Sequence, residues 1–228
     1  MKKALVLLSS GLDSTVNLYA AVNKYKVVKV LTFDYGQRAA KKEVQKSREI
    51  CKLLRLDHQV VKVDLFKGFG KSSLINTKMK VPTKNQVQIG NHQRSLRTAS
   101  SVWVPNRNGV ILNIAAAFAD AYEVEYVIPG FNKEEAMTFP DNSKAYLHQL
   151  SKAFQYSTQN GVVAKCFTID MNKTEIVKWG KKLKVDWNLT WPCYFSGKNR
   201  CGQCESCLRA KNAFEKNGTL PKNYFASV

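Results

Sequence analysis

Residues 4–14 read Ala4-Leu5-Val6-Leu7-Leu8-Ser9-Ser10-Gly11-Leu12-Asp13-Ser14. Five consecutive apolar residues predict a short strand buried on both faces. The Ser-Ser-Gly run ends it, and from Ser14 to Lys24 the residues Val16, Ala20 and Val22 fall at helical spacing. A glycine-containing turn from a buried strand into a helix exposes backbone N–H groups and points a helix N-terminus at whatever lies above it. Both favour an anion. The stretch Leu8, Ser9, Ser10, Gly11, Leu12, Asp13, Ser14 and Thr15 is therefore a candidate phosphate cradle, with serine hydroxyls as additional donors. Asp13 does not suit a bare anion, but it suits a magnesium ion that bridges phosphates. The plainer alternative is a strand-to-helix turn in which Asp13 or Ser14 only caps the helix.

Working outward, the same alternation repeats. Strands are predicted at 27–33, 59–65, 124–128 and 162–169, with helices at 37–56, 110–122, 143–158 and 172–183, the last capped by Asn172. Residues 66–106 read as a long irregular loop over the sheet edge, and 131–142 as another loop. Strands alternating with helices predict an α/β fold, a doubly wound, mostly parallel five-stranded sheet. In such sheets ligands collect beyond the carboxyl ends of the strands. Ser9–Ser14, Asp34–Arg38 and Gly130–Asp141 all fall there. Gly68-Phe69-Gly70-Lys71-Ser72 ends like a second phosphate loop, but Leu65 stands where its first glycine would be needed.

The other chemically dense stretch is near the end. Cys193, Cys201, Cys204 and Cys207 are spaced C-x7-C-x2-C-x2-C, with Gly202, Gln203, Glu205 and Ser206 between the last three. Such spacing lets four thiolates converge on one tetrahedral ion. Zinc at a closed structural site is the expectation, with an iron–sulfur cluster as its alternative. The expected division is a nucleotide-binding α/β domain at 1–188 and a small helical zinc-binding region at 189–228.

No apolar run is long enough to cross a bilayer. The Met-Lys-Lys start followed by residues 4–8 imitates a secretion signal, but the apolar stretch is short and no cleavage site follows. A cytoplasmic protein with reduced cysteines is expected. The formal net charge of +19 points to an anionic partner or to plain lysine-rich solubility. No basic stripe interleaved with aromatics accompanies it, so a nucleic-acid partner is not expected.

The Asp13 loop resembles the pyrophosphate loop of the N-type ATP pyrophosphatases, S-G-G-x-D-S, with Ser10 at a position that is usually glycine. Further segments narrow the resemblance to the queuosine-pathway branch of that family, the 7-cyano-7-deazaguanine synthases, over nearly the full length. They are Tyr35-Gly36-Gln37-Arg38, Val104-Pro105-Asn106-Arg107-Asn108, Gly130-Phe131-Asn132, Pro140-Asp141, Lys173-x-Glu175-Ile176, Trp191-x-Cys193-Tyr194 and Cys201-Gly202-x-Cys204-x-x-Cys207-x-Arg209. The chain departs from the pattern at Ala39, Asn106, Glu134-Glu135 and Asn142-Ser143. The resemblance implies ATP-dependent conversion of 7-carboxy-7-deazaguanine and ammonia to the nitrile through adenylated acid and amide intermediates, with Mg2+, in a homodimer. Asp13, Ser14 and Lys173 are then the catalytic candidates. Tyr35, Gln37, Arg38, Arg107, Asn108, Asn132 and Asp141 are the substrate-binding ones, with Arg107 suited to a carboxylate by its planar fork. A tRNA-modifying relative with the same loop is the alternative function. Such an enzyme usually carries an RNA-binding domain or a catalytic cysteine near the loop, and neither is visible.

Overall fold

The computed structural model describes residues 1–83 and 98–226. Strand β1 (Lys3–Leu7) leads into helix α1 (Leu12–Lys24). Then come β2 (Lys26–Asp34), α2 (Ala40–Leu53), β3 (His58–Lys62), α3 (Arg107–Ala121), β4 (Tyr126–Ile128), the short α4 (Lys133–Ala136), α5 (Lys144–Ser157), β5 (Val163–Ala164), α6 (Lys173–Lys182) and α7 (Glu205–Lys216). The five strands form one sheet in the order β3-β2-β1-β4-β5, and every pairing is parallel.

The central strand shows why helices cover both faces. Successive side chains of a strand point to opposite sides. Leu5 and Leu7 pack with Leu112, Ala115, Ala116 and Ala119 of α3 and with Leu147 and Phe154 of α5. Ala4, Val6 and Leu8 pack on the other side with Leu18 and Ala21 of α1 and with Ile50 and Cys51 of α2. Both faces of β1 are thus apolar because both are buried, which is what the unbroken run at 4–8 encodes. The outer side of α1 (Leu12, Val16) is covered in turn by Ile176 and Val177 of α6 and by Ala210, Ala213 and Phe214 of α7.

Several boundaries differ from the sequence expectation for identifiable reasons. Strand β5 stops at Ala164 instead of Ile169. Beyond it, side chains replace the ladder: Asn17 Oδ1 accepts the Phe167 N–H at 2.8 Å, and the Thr168 hydroxyl donates to the Phe131 carbonyl at 2.5 Å. Helix α2 starts at Ala40 instead of Gln37, after a turn in which Gly36 takes a φ of 85°. Helix α3 begins earlier, at Arg107, behind Asn106 in the left-handed region. The 66–106 segment is not a simple edge loop. Leu74, Val102 and Val104 enter the core with β1 and β2, residues 98–102 are helical, and Val81 reaches the cysteine cluster. Residues 84–97 of that segment lie outside the described residues. The Asn172 cap is present as a full capping box with Glu175. No helix among the described residues is long and apolar enough to cross a membrane.

Candidate active site

The turn after β1 is closed by its own hydroxyls. The Ser9 N–H donates to Ser14 Oγ at 3.2 Å, the Ser9 and Ser14 hydroxyls lie 3.1 Å apart, and Ser14 donates to the Gly11 carbonyl at 3.3 Å. Gly11 is the N-cap of α1 and no side chain caps the helix, so the first-turn N–H groups face outward as donors. The end of β4 abuts this turn. A Cβ on Gly130 would lie 2.4 Å from the Ser14 backbone nitrogen and Cα, so only glycine allows that approach.

Behind the turn sits a buried charge cluster. Asp13 Oδ2 accepts from Lys173 Nζ at 2.5 Å and from Asn132 Nδ2 at 2.9 Å. Lys173, delivered by the first turn of α6, also contacts Glu135 Oε1 at 3.2 Å. Burial opposes the ammonium charge, but Asp13 and Glu135 hold it well above the ordinary lysine value. Asp13 Oδ1 is buried and has no hydrogen-bond partner among the described residues. A free carboxylate oxygen beside a turn of unspent N–H groups is a hard donor of the kind magnesium takes. The residues present fit that ion.

The turn opens into a cavity of about 290 Å³ at the carboxyl ends of the strands. Of the expected residues, Leu8, Ser9, Gly11, Leu12, Asp13, Ser14, Tyr35, Gln37, Arg38, Arg107, Asn108, Asp141 and Lys173 line it. Ser10, Thr15 and Asn132 are fully buried behind it. Arg107 Nη1 donates to the Tyr35 hydroxyl and Nε to Asn108 Oδ1, both at 3.2 Å. Burial opposes its charge, but Tyr35 and Asp141 favour it. Asp141 is pushed up by burial, against the pull of Arg107. The Arg38 guanidinium is committed to the chain itself: it donates to the carbonyls of Ser73, Asn76 and Met79 at 2.5–2.8 Å.

Sequence reasoning passed over several lining residues. Trp103 and Phe139 stack with their ring planes 9° apart, and both line the cavity. Arg209 joins Glu205 at 2.7 Å and Glu134 at 3.2 Å. The i,i+4 spacing of Glu205 and Arg209 was a readable sign of that pair. Glu43 also faces the cavity, and burial pushes its carboxyl up to about 7 against the Gln37 hydrogen bond and the Arg107 charge. Its readable sign was an acid sharing a helix face with Ser47 and Ile50, both buried.

The four expected cysteines are brought together. Their Sγ atoms all lie within 4.8 Å of one another, and those of Cys201 and Cys207 are 3.9 Å apart. A tetrahedral zinc–thiolate site has sulfur–sulfur edges of about 3.8 Å. Backbone N–H groups of Phe195 and Cys201 point at the Cys193 sulfur, and those of Gln203 and Cys204 at the Cys201 sulfur, at 3.3–3.4 Å. These donors stabilise thiolates. All six cysteines are free, so the donor set fits a metal ion. The same region walls the cavity with Trp191, Pro192, Tyr194, Glu205 and Arg209, and the Trp191 N–H donates to the Ser10 carbonyl at 2.6 Å.

A family model described as queuosine biosynthesis protein QueC matches residues 3–218. A 7-cyano-7-deazaguanine synthase of Bdellovibrio bacteriovorus is 55% identical over 225 residues, covering 98% of this chain and 97% of the relative. One of Methanosarcina barkeri is 44% identical over 219 residues, covering 95% of each.

Proposed function

Because the chain belongs to the QueC family of queuosine biosynthesis proteins, we propose that its cavity carries out the 7-cyano-7-deazaguanine synthase reaction on 7-carboxy-7-deazaguanine, with ATP as the activating agent and ammonia as the nitrogen donor. The substrate carboxylate attacks the α-phosphorus, giving an acyl adenylate and pyrophosphate. Ammonia displaces AMP and leaves the amide. The amide oxygen attacks a second ATP, again releasing pyrophosphate, and loss of AMP with a proton leaves the nitrile. The protein's tasks are to hold the triphosphate, stabilise charge on the departing pyrophosphate and bring the carboxylate into line.

Ser9, Gly11 and Ser14 with the first-turn N–H groups of α1 are the proposed pyrophosphate cradle. Lys173 supplies positive charge beside it. Asp13 holds Lys173 through one oxygen and would hold Mg2+ through the other; the ion would neutralise phosphate charge there. Arg107, fixed on Tyr35 and Asn108, is the proposed carboxylate clamp, with Asp141 beside it. Asn132 acts through Asp13. The proposed metal at the four cysteines is a structural zinc ion. Residues 1–188 are the proposed nucleotide-binding part and 189–228 the zinc-binding part of a cytoplasmic homodimer.

The single observation that supports this reading best is that one cavity joins the Ser9–Ser14 turn to Arg107, Asn108 and Asp141. The test is incubation with 7-carboxy-7-deazaguanine, ATP, Mg2+ and ammonium, with mass detection of the nitrile. Two pyrophosphates per nitrile are expected, and Asp13→Ala should abolish both while the circular dichroism spectrum is kept. An Asp13→Ala enzyme with undiminished nitrile formation would remove the assignment.

A further inference from the structure

Among the described residues the cavity is lined by six carboxylates, those of Asp13, Glu43, Glu134, Glu135, Asp141 and Glu205. Four of them sit in ion pairs, Asp13 and Glu135 with Lys173 and Glu134 and Glu205 with Arg209. Glu43 and Asp141 have no ion pair among the described residues. Glu43 is instead held by a neutral group. Gln37 Nε2 donates to Glu43 Oε2 at 2.8 Å and to the Phe33 carbonyl at 2.9 Å, while Gln37 Oε1 accepts the Tyr35 N–H at 2.9 Å. Both amide hydrogens are spent and the oxygen is occupied. Gln37, expected from sequence to bind substrate, has no donor left to offer. What it presents to the cavity is the Glu43 carboxylate.

A carboxylate fixed through one oxygen by a neutral amide keeps acceptor capacity for donors that arrive from the cavity. Two adjacent N–H groups in one plane match that fork best. A 2-amino-oxopyrimidine ring carries such a pair, its lactam N–H and its exocyclic amine. We propose that Glu43, positioned by Gln37, reads this donor edge of the substrate's pyrimidine ring and so selects a guanine-like base. The proposal rests on the cavity being the deazaguanine site and adds to it the residue that recognises the ring. The charged or titratable groups facing Glu43 are Asp34 at the end of β2, Tyr35 in the following turn and Arg107 at the start of α3. Burial pushes the Glu43 carboxyl up to about 7, so it holds a proton more readily than an ordinary glutamate does. Two ring donors favour the ionised form, so binding should expel a proton.

The test compares the wild type with Glu43→Gln on 7-carboxy-7-deazaguanine and on its analogue lacking the 2-amino group, at saturating ATP. The wild type should prefer the amine-bearing substrate by about 10- to 100-fold in kcat/KM, the range of a lost hydrogen bond to a charged group. Glu43→Gln, isosteric and still able to accept from Gln37, should raise the substrate KM more than about tenfold, leave the ATP KM in place and erase most of that preference. Glu43→Asp should keep the preference in weakened form. Calorimetry at pH 7 in two buffers of different ionisation enthalpy should find net proton release on substrate binding by the wild type and none by Glu43→Gln. A residue that only braced the Gln37 turn would change stability or kcat without moving either readout. An unchanged preference and unchanged proton release in Glu43→Gln overturn the role of Glu43 while leaving the proposed reaction standing. A wild type that makes no nitrile overturns both.

Discussion

Ser10 holds a φ of 57°, in the left-handed region that disfavours a side chain. It stands where the pyrophosphate loop that this turn resembles usually carries glycine, and its hydroxyl is buried with no partner among the described residues. Replacing it with glycine removes a steric cost of about 1–2 kcal/mol and the stranded hydroxyl, against about 0.4–1 kcal/mol of added freedom in the unfolded chain. Ser10→Gly should therefore raise the unfolding free energy by about 1 kcal/mol in urea titration, with turnover retained; a destabilised variant would contradict the strain argument. Asn106 solves the same problem at lower cost, since asparagine visits the left-handed region, here at φ 49°, more readily than serine does. The departures at Ser10 and Asn106 were legible in the sequence, but the reason for the family's glycines is a backbone angle and became visible only in three dimensions. The engagement of Gln37 by Glu43 and its own turn was less legible still. It depends on both amide hydrogens of Gln37 being used, one of them by the Phe33 carbonyl, and no spacing rule encodes that.

At the scale of elements, the parts with long one-dimensional patterns were readable. The run at 4–8 gave β1, and the Asn172–Glu175 box gave the start of α6. Elements too short to show a period were poorly readable: α4, of four residues, fell inside the expected 131–142 loop, and β5, expected over 162–169, has only two residues. The cysteine spacing pointed to a candidate metal site but not to its neighbours, because the Trp191 backbone reaches Ser10 across 181 positions of sequence. That contact matters for what a metal there would do. Cys193 follows Trp191 and Pro192, while Cys204 and Cys207 flank Glu205, and Arg209 is one residue-pair further on; the ion would thus pin two segments of the cavity wall together. Cys204→Ser should lose its metal, melt at a lower temperature and lose at least about tenfold in turnover, although none of the four cysteines belongs to the Ser9–Ser14 turn. Metal analysis and nitrile formation measured on the same preparation decide it. A variant that keeps its zinc, or one that loses zinc with full turnover, would refute the link between metal site and cavity.

At the scale of the whole molecule two charge patterns oppose each other. The chain carries a net charge of +19, yet among the described residues its cavity presents six carboxylates against four cationic side chains, Arg38, Arg107, Lys173 and Arg209. The long-range field therefore attracts anions, while the described lining of the cavity carries more acidic than basic groups. That combination suits substrates that arrive negative and are neutralised on arrival by a divalent ion, as a nucleoside triphosphate with magnesium would be. The two regimes respond differently to salt. Attraction over the surface is screened within a Debye length of about 10 Å at 0.1 M ionic strength, whereas buried pairs such as Asp13 with Lys173 are screened far less. Raising monovalent salt from about 0.05 to 0.5 M should thus lower kcat/KM for ATP several-fold through slower encounter, while kcat at saturating ATP stays level. Steady-state kinetics across that range measure both. If kcat fell in step with kcat/KM, salt would be acting on the cavity's own ion pairs, and the excess lysines would be solubilising charge with no part in capturing the nucleotide.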